Sequence, residues 1–317
     1  MIIASLAARS KCGYVLANST SGGVFFEFAK AVISEGGVVF GAAWKDDYSG
    51  VRHTWVESLD GVMGLCGSKY VTSDIRASLR QLMEFMATGR TILFTGTPCQ
   101  VAAVRHISKG HPNVILCALF CYGNVEPDVW RQYKLELEDE AGECVVGVKF
   151  RDKEIGGWLN GRFVVNFSDS IVDKSEDPSE NAYMRAFYCG LSLRQSCLAC
   201  PFRGGKCGAD IMIGDFWGVE TVCPEFMDNR GVNAVLVYTS SGKKIFEKAN
   251  LDSRSVTYEQ ILAGNPCLET FKYAVNLRAR ERFLQNYKAI GVARAVDYAF
   301  NRSIWMRILD KVRRFLP

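Results

Sequence analysis

Hydrophobic residues in the first half of the chain alternate between two periods, one typical of helices and the other of buried strands. Apolar side chains recur at helical spacing over Val24–Ser34, and the apolar run Val38–Trp44 that follows predicts a strand. Further on, residues 91–95 predict a buried strand, residues 101–108 a helix and residues 114–121 another strand. Strands that alternate with helices are typical of a mostly parallel sheet with flanking helices.

The second half of the chain is less regular. Residues 145–150 and Arg162–Phe167 are two apolar runs joined through Gly156-Gly157-Trp158, which predicts a meander rather than a strand–helix–strand unit. Residues 232–239 predict a further strand. We therefore expect an α/β fold, α+β overall, in which a mostly parallel N-terminal sheet is followed by a mixed-sheet region carrying a cysteine-rich loop.

The length of 317 residues suggests roughly two domains and a tail. We expect an N-terminal α/β region over residues 1–140, a C-terminal region over residues 141–265 and a basic helical tail over residues 266–317. From residue 271 onward the chain has eleven Lys and Arg against three Asp and Glu. Residues 303–317 have an amphipathic helical pattern, which predicts either peripheral membrane contact, docking on a partner or closure of the chain's own core.

Composition narrows the compartment and the chemistry. No secretory signal peptide opens the chain, and no run approaches the roughly 18 apolar residues of a membrane span. We expect a cytoplasmic protein with no nucleic-acid partner. The chain has twelve cysteines but only three histidines. In a reducing compartment, clustered cysteines indicate metal binding or redox work rather than disulfides.

The densest cysteine cluster lies between residues 183 and 218. Cys197 and Cys200 form a CxxC pair, flanked by Cys189 and Cys207. Thiols at this spacing are compatible with an iron–sulfur cluster, a zinc half-site or a redox disulfide. The apolar segment that follows predicts a short strand ending at Asp215 and Trp217, and such strand ends often line a site.

Two other cysteines are predicted to lie at neighbouring strand ends. Thr97 and Pro98 predict the start of a helix, so Cys99 falls in its first turn, where the helix dipole favours a thiolate. Cys121 ends the next strand. The carboxyl ends of parallel strands form a ligand crevice, where Cys99 and Cys121 would meet. Cys117 lies about 13 Å back along the strand and is expected to belong to the core.

Two glycine-containing segments are candidates for phosphate binding. Ser21-Gly22-Gly23 precedes the first predicted helix, and Gly67-Ser68-Lys69-Tyr70 combines small residues, a hydroxyl and one cation. Taken alone, the first segment is more often an ordinary helix cap, and the second could equally be a plain turn.

Taken in order, these motifs resemble the beta-subunit family of coenzyme F420-reducing hydrogenases and dehydrogenases. The matching segments cover about residues 14–240 and are Ser21-Gly22-Gly23-Val24-Phe25, Gly67-Ser68-Lys69-Tyr70-Val71, Gly96-Thr97-Pro98-Cys99-Gln100, Cys121-Tyr122-Gly123, Cys197-x-x-Cys200 and Asp210-Ile211-x-Ile213-Gly214-Asp215-Phe216-Trp217-Gly218. The family binds FAD and a [4Fe–4S] cluster and moves electrons between them and a partner or a deazaflavin.

The resemblance implies a set of site residues. It puts forward Cys99, Cys121, Cys197 and Cys200 as the cluster ligands, with Cys207 as an alternative. It implies that the flavin is lined by Ser21, Gly22, Gly23, Ser68, Lys69 and Thr97. It names no catalytic residue. The substrate stays open, as a small molecule or a deazaflavin, and some bacterial relatives occur in surface-polysaccharide clusters.

The chain departs from the family at its start. Many relatives begin with a cysteine-rich ferredoxin module, whereas this chain has only Cys12 there. We therefore expect a separate ferredoxin-like partner. Two other functions compete with an iron–sulfur flavoenzyme: a non-catalytic module holding zinc through Cys197, Cys200, Cys207 and Cys189, and a thiol–disulfide oxidoreductase using Cys197 and Cys200.

Overall fold

The computed structural model describes residues 1–169, 174–270 and 275–300. Its strands are β1 Ala4–Ser10, β2 Val38–Trp44, β3 Val51–Val56, β4 Ser73–Asp74, β5 Ile92–Gly96, β6 Val114–Leu119, β7 Val145–Asp152, β8 Arg162–Phe167, β9 Lys174–Glu176, β10 Ile211–Asp215, β11 Asn233–Val237 and β12 Leu251–Ser255. The predicted amphipathic segment 303–317 lies outside the described residues, so its membrane contact stays a prediction.

Helices connect most of these strands. They are α1 Gly13–Ala17, α2 Val24–Ser34, α3 Leu59–Leu65, α4 Arg76–Met86, α5 Pro98–Ser108, α6 Pro127–Ala141, α7 Ala182–Tyr188, α8 Gln195–Leu198, α9 Val219–Val222, α10 Ser240–Lys248, α11 Tyr258–Gly264, α12 Leu277–Ile290 and α13 Val292–Ala299, with 3₁₀ turns at Pro224–Phe226 and Pro266–Leu268. None of the helices in the described part of the chain has the length and apolar character needed to cross a bilayer.

Nine strands within the described residues form one mixed sheet in the order β12-β1-β11-β10-β6-β5-β2-β3-β4. The four central strands, β10, β6, β5 and β2, run parallel to one another. Antiparallel pairs flank them, β11 beside β10 and β3 beside β2. The sheet takes strands from both sides of residue 140, and the expected domain boundaries stay a prediction.

Alternating side chains of the central strands build one core on each face of this sheet. Val39, Leu93 and Cys117 share a buried cluster with residues of α2, α3 and α10. Phe40 and Phe94 belong to the opposite cluster, which α4, α5 and α11 cover. Because both faces are covered, the parallel strands are mostly apolar, with polar residues such as Thr95 and Asp215 only towards their carboxyl ends.

A second, smaller sheet has the order β7-β8-β9 and is antiparallel. A third buried cluster lies beneath it, where Trp130 of α6, Phe150 of β7, Phe163 of β8, Tyr183 of α7 and Phe283 of α12 pack together. The predicted fold class, including the meander over β7 and β8, is confirmed. The end of β6 differs from its prediction in a way that concerns the site, since the strand ends at Leu119 and Cys121 lies two residues beyond it.

Candidate functional site

A large cavity opens at the carboxyl ends of the parallel strands. Its volume is about 840 Å³, within the range of small-molecule and cofactor sites. Residues 95–97 at the end of β5, residues 119–124 at and after the end of β6 and residues 213–215 at the end of β10 contribute to its lining. Arg151 of β7 and residues 159–161 before β8 contribute as well. The cavity therefore lies where an open α/β sheet binds its ligands.

Five of the six residues predicted to contact a flavin line this cavity: Ser21, Gly23, Ser68, Lys69 and Thr97. Gly22 lies behind them, against the sheet. A Cβ atom on Gly22 would stand 2.7 Å from the Ala8 carbonyl oxygen and 2.8 Å from the Asn233 nitrogen. Gly22 is therefore required for the close approach of this loop to β1 and β11.

Hydrogen bonds hold the two glycine-containing loops together. The Ser68 N–H donates to the Thr20 hydroxyl at 2.8 Å, and the Ser21 hydroxyl donates to the Val232 carbonyl at 2.9 Å. At the start of α2, the Val24 N–H donates to the Asn233 side-chain oxygen at 3.3 Å. The Val24 N–H, one of the groups at the helix start that were expected to be available for a phosphate, therefore already has a hydrogen-bond acceptor.

Lys69 caps a helix with the same ammonium that was predicted to bind phosphate. Its Nζ donates to the carbonyls of Leu65 at 3.1 Å, Cys66 at 2.8 Å and Gly67 at 3.2 Å, at the C-terminal end of α3. Burial lowers the pKa of Lys69 to about 8. The cation is thus neither a solvated surface group nor a donor waiting for a ligand, but it lies on the cavity wall.

An ion pair crosses from the small sheet to the large one at this cavity. Arg151 of β7 donates to Asp215 of β10 at 2.5 Å, and the Trp158 indole N–H donates to the other oxygen of the same carboxylate at 3.0 Å. The rings of Trp158 and Trp217 are parallel within 1°, with centroids 5.1 Å apart. The Arg151 guanidinium lies 4.8 Å above the Trp217 ring. The pair and the stacked rings make a rigid aromatic wall.

A second, smaller cavity adjoins the first and is rich in cysteine. Its volume is about 30 Å³, and it is lined by Cys99, Cys121, Cys197, Cys200 and Cys267. The structure therefore brings all four predicted cluster ligands to one place. Residues 121–124 and Cys267 line both cavities, so these residues form a shared wall between them.

Local structure fixes several of these thiols. Thr97 caps α5 as predicted, with its N–H donating to Gln100 Oε1 at 3.0 Å, and its hydroxyl lies 3.2 Å from the Cys99 sulfur. The Asn124 N–H donates to the Cys197 sulfur at 3.3 Å. Burial, followed by the neighbouring thiols of Cys99 and Cys197, raises the pKa of Cys121.

These thiols fit a metal chemically without forming a preformed metal site. A buried thiol with a raised pKa ionises when a cation compensates its charge, which is the coupling that metal binding supplies. Within residues 1–169, 174–270 and 275–300, however, no group of three or more His, Cys, Asp or Glu side chains is placed so that it could hold a metal ion as it stands. The cysteines would have to close around a metal centre.

The remaining candidate cysteines lie elsewhere. Cys117 is fully buried in the core, as predicted. Cys207, the expected alternative ligand, is 2% exposed and belongs to the apolar cluster under the sheet. Neither Cys207 nor Cys189 is among the residues that line the two cavities described above.

Comparisons with known proteins identify the family and the fold. Residues 89–263 match the family described as the C terminus of the beta subunit of coenzyme F420 hydrogenase/dehydrogenase. The chain belongs to this family. The match confirms the resemblance carried by the Gly96–Gln100, CxxC and strand-end motifs and identifies the chain with a family of redox proteins.

The fold of this F420 hydrogenase/dehydrogenase beta-subunit family member is similar to that of a solved structure. The solved structure is that of a chain from the xenon-derivatised F420-reducing [NiFe] hydrogenase complex of Methanosarcina barkeri. The alignment covers 90% of this chain and 94% of that chain, with a TM-score of 0.57 and 16% identity. No protein with a curated description matches the chain.

Sequence reasoning missed three residues of the site. Cys267 stands 60 positions after Cys207 with no motif around it, and only the fold carries it to the other cysteines. Arg151 sits in an ordinary strand pattern and is recognisable only from its contact with Asp215. His53 lines the large cavity with both ring nitrogens within hydrogen-bonding distance of protein atoms, Ser73 Oγ at 2.6 Å and Thr95 O at 3.0 Å. Burial lowers the pKa of His53 to about 4, so the ring is neutral at physiological pH.

Proposed function

We propose that this chain is an oxidoreductase that binds a [4Fe–4S] cluster and FAD and passes electrons between them. The observation that carries the proposal is the pair of adjoining cavities, one lined by five cysteines and the other of cofactor size, with residues 121–124 and Cys267 as their shared wall. When both groups are bound, the cluster exchanges single electrons and the flavin can exchange two, so together they couple one-electron to two-electron chemistry.

In this proposal Cys99, Cys121, Cys197 and Cys200 hold the cluster. The small cavity is bounded elsewhere by apolar side chains such as Phe202, Met212 and Leu268, whereas Cys99 is exposed to solvent. Low solvent access and hydrogen bonds to sulfur are the features by which a protein sets the potential of such a centre. The Asn124 N–H supplies one hydrogen bond of this kind, to Cys197.

The flavin would occupy the large cavity. Ser21, Gly23, Ser68, Lys69 and Thr97 would contact it, with Gly22 supporting the loop from behind. Arg151 and Trp217 line the same cavity, and their fixed charge and flat ring suit an anionic or aromatic part of a ligand. The chain's residues would thus orient the flavin, while the substrate class stays open.

Partners follow from the same arrangement. The similar solved structure comes from a hydrogenase complex, and this supports a protein redox partner in general terms. We propose a ferredoxin-like protein on the cluster side and a small molecule or a deazaflavin on the flavin side. A cytoplasmic role in surface-polysaccharide synthesis is one setting for such a reaction.

Anaerobic purification tests this function against its competitors. We expect a yellow-brown protein with about four iron and four sulfide per chain and one FAD released on denaturation. Zinc without iron would support the binding module instead. A colourless, metal-free protein with a reversible disulfide between Cys197 and Cys200 would support the thiol–disulfide oxidoreductase.

A further inference from the structure

The small cavity contains one more cysteine than a cluster needs. Five thiols line it, whereas a [4Fe–4S] cluster has four iron positions for protein ligands. The additional residue is Cys267, in the 3₁₀ turn Pro266–Leu268. Cys267 is outside the segment that matches the family, and it lines both cavities.

Cys267 lies next to Cys121, one of the four proposed cluster ligands. A single guanidinium nitrogen, Nη1 of Arg203, donates to the carbonyls of both Cys121, at 3.5 Å, and Cys267. The other terminal nitrogen, Nη2, donates to the Tyr122 carbonyl at 2.9 Å. Arg203 therefore clamps the loop after β6 and the 3₁₀ turn to each other, and Cys121 and Cys267 are neighbours in the shared wall.

Cys207 provides a contrast within the same chain. It lies closer in sequence to the CxxC pair, but it is 2% exposed and packed in the apolar cluster. Its side chain packs among apolar residues and is not among those that line the small cavity. Cys267 already lies on the cavity wall.

We propose that Cys267 is an iron-binding thiol of the small cavity and can take the position of Cys121 on the cluster. The inference rests on the proposed function, since it requires a cluster in this cavity. The step is a ligand substitution without change of oxidation state. The Cys267 thiol gives its proton to solvent and its sulfur bonds the iron that Cys121 does not hold.

Alanine variants test the substitution, because alanine has no side-chain oxygen that could bind iron in place of sulfur. After anaerobic reconstitution, C267A should keep wild-type iron and C121A at least about half of it, whereas C121A/C267A should fall below about one fifth. The matched control is C121A/C207A, which should equal C121A. Near-ultraviolet circular dichroism reports whether each variant is folded.

A second measurement uses C121A alone. Alkylation of Cys267 by iodoacetamide, followed by mass spectrometry, should be at least about fivefold slower in the iron-loaded variant than after chelation, because an iron-bound thiolate is not a free nucleophile. Equal iron in C121A and C121A/C267A, or equal alkylation with and without iron, would overturn the role of Cys267. A wild-type protein that takes up no iron would instead overturn the proposed function itself, and this proposal with it.

Discussion

Arg151 and Asp215 form an ion pair of 2.5 Å that joins the small sheet to the end of the central parallel sheet. Their side chains are 8% and 19% exposed. Trp158 donates to the same carboxylate, and the Trp217 ring stacks on the Trp158 ring and also contacts the arginine. Both residues line the large cavity, so the pair fastens together two of the elements that surround the site.

The first prediction concerns this pair. Asp215→Asn keeps the shape of the side chain but leaves the Arg151 charge buried without a counter-charge. Removing one partner of a buried pair costs about 3 kcal/mol or more of the free energy of unfolding. We expect a loss of about 2–4 kcal/mol, because Asp215 keeps some contact with solvent. Urea unfolding followed by tryptophan fluorescence measures it.

An exposed pair in the same chain is the matched control. Arg254 and Asp252 are 3.1 Å apart, with side chains 49% and 38% exposed. Asp252→Asn should change the free energy of unfolding by less than about 1 kcal/mol, because water screens the charges. Losses of the same size in the two variants would show that the Arg151–Asp215 pair does not stabilise the junction of the sheets.

The second prediction concerns iron. Cys197→Ala and Cys99→Ala each remove a thiol from the small cavity, and we expect each to lower bound iron sharply, to less than about one third of wild type. Cys117→Ala removes a thiol that is fully buried in the sheet core and should leave iron near the wild-type content. Iron and acid-labile sulfide are measured per chain after anaerobic purification.

Two results would contradict the prediction on iron content. Full iron in both the Cys197 and the Cys99 variants would remove these residues from the ligand set. A loss of iron in the Cys117 variant as large as theirs would mean that the centre responds to general destabilisation. Thermal unfolding of all three variants separates the two effects.

The cysteine site divides into a part that the sequence could predict and a part that it could not. Cys99 and Cys121 follow predicted strands, and the parallel order of those strands brings their ends together. Cys197 and Cys200 are linked by their own spacing. Neither a predicted strand nor a spacing motif indicates where Cys267 lies. Its position depends on how residues 256–270 pack beneath the sheet and on the hydrogen bonds of Arg203.

Lys69 shows a different limit. The sequence places it in a glycine-containing loop beside the first motif, and the structure does put it on the cavity wall. Its hydrogen bonds, however, go to the last carbonyls of α3, a helix that the sequence pattern did not single out. A cation's partner is set by which backbone groups are left without bonds nearby, and this is decided by the tertiary structure.

The third prediction follows from the pKa of Lys69, which burial lowers to about 8. Lys69 is protonated below this pH and loses its positive charge as the pH rises through it. A phosphate bound at the cavity wall would favour the ammonium, so flavin affinity should fall above about pH 8, by at most about tenfold per pH unit. In Lys69→Met this dependence should disappear. Fluorescence titration of flavin into the apoprotein between about pH 7 and pH 9.5 measures it.

The stability of the apoprotein should respond in the opposite direction. In the unfolded chain Lys69 regains its ordinary pKa of 10.5, so the unfolded state binds more protons between about pH 8 and pH 10.5. The contribution of Lys69 to the free energy of unfolding therefore rises with pH over that window. The free energy of unfolding of wild type minus that of Lys69→Met should become more positive over the same window.

Lys153 is the matched control for both measurements. Its Nζ also donates to three carbonyls, those of Leu16, Ser21 and Arg230, and burial lowers its pKa to about 8. Lys153 is not among the residues lining the large cavity. Lys153→Met should keep the wild-type pH dependence of flavin affinity. If Lys153→Met loses the pH dependence of flavin affinity as Lys69→Met does, the effect comes from loop stability and not from a charge next to the flavin.

The last prediction concerns the electron partner. A site that couples one-electron to two-electron chemistry needs a one-electron partner on the cluster side, and in the proposed function this partner is a ferredoxin-like protein. We expect chemically reduced ferredoxin to bleach the flavin absorbance of the loaded protein at least about tenfold faster than NADH at equal concentration, because in the proposed function electrons enter singly through the cluster, whereas NADH would have to transfer a hydride directly to the flavin. Cys197→Ala, which should lack the cluster, should lose the ferredoxin reaction while reduced deazaflavin still reduces its flavin. Fast reduction by NADH with ferredoxin inert would contradict the partner and indicate an ordinary pyridine-nucleotide flavoenzyme. Equal ferredoxin rates in wild type and Cys197→Ala would show that electrons reach the flavin without passing the small cavity.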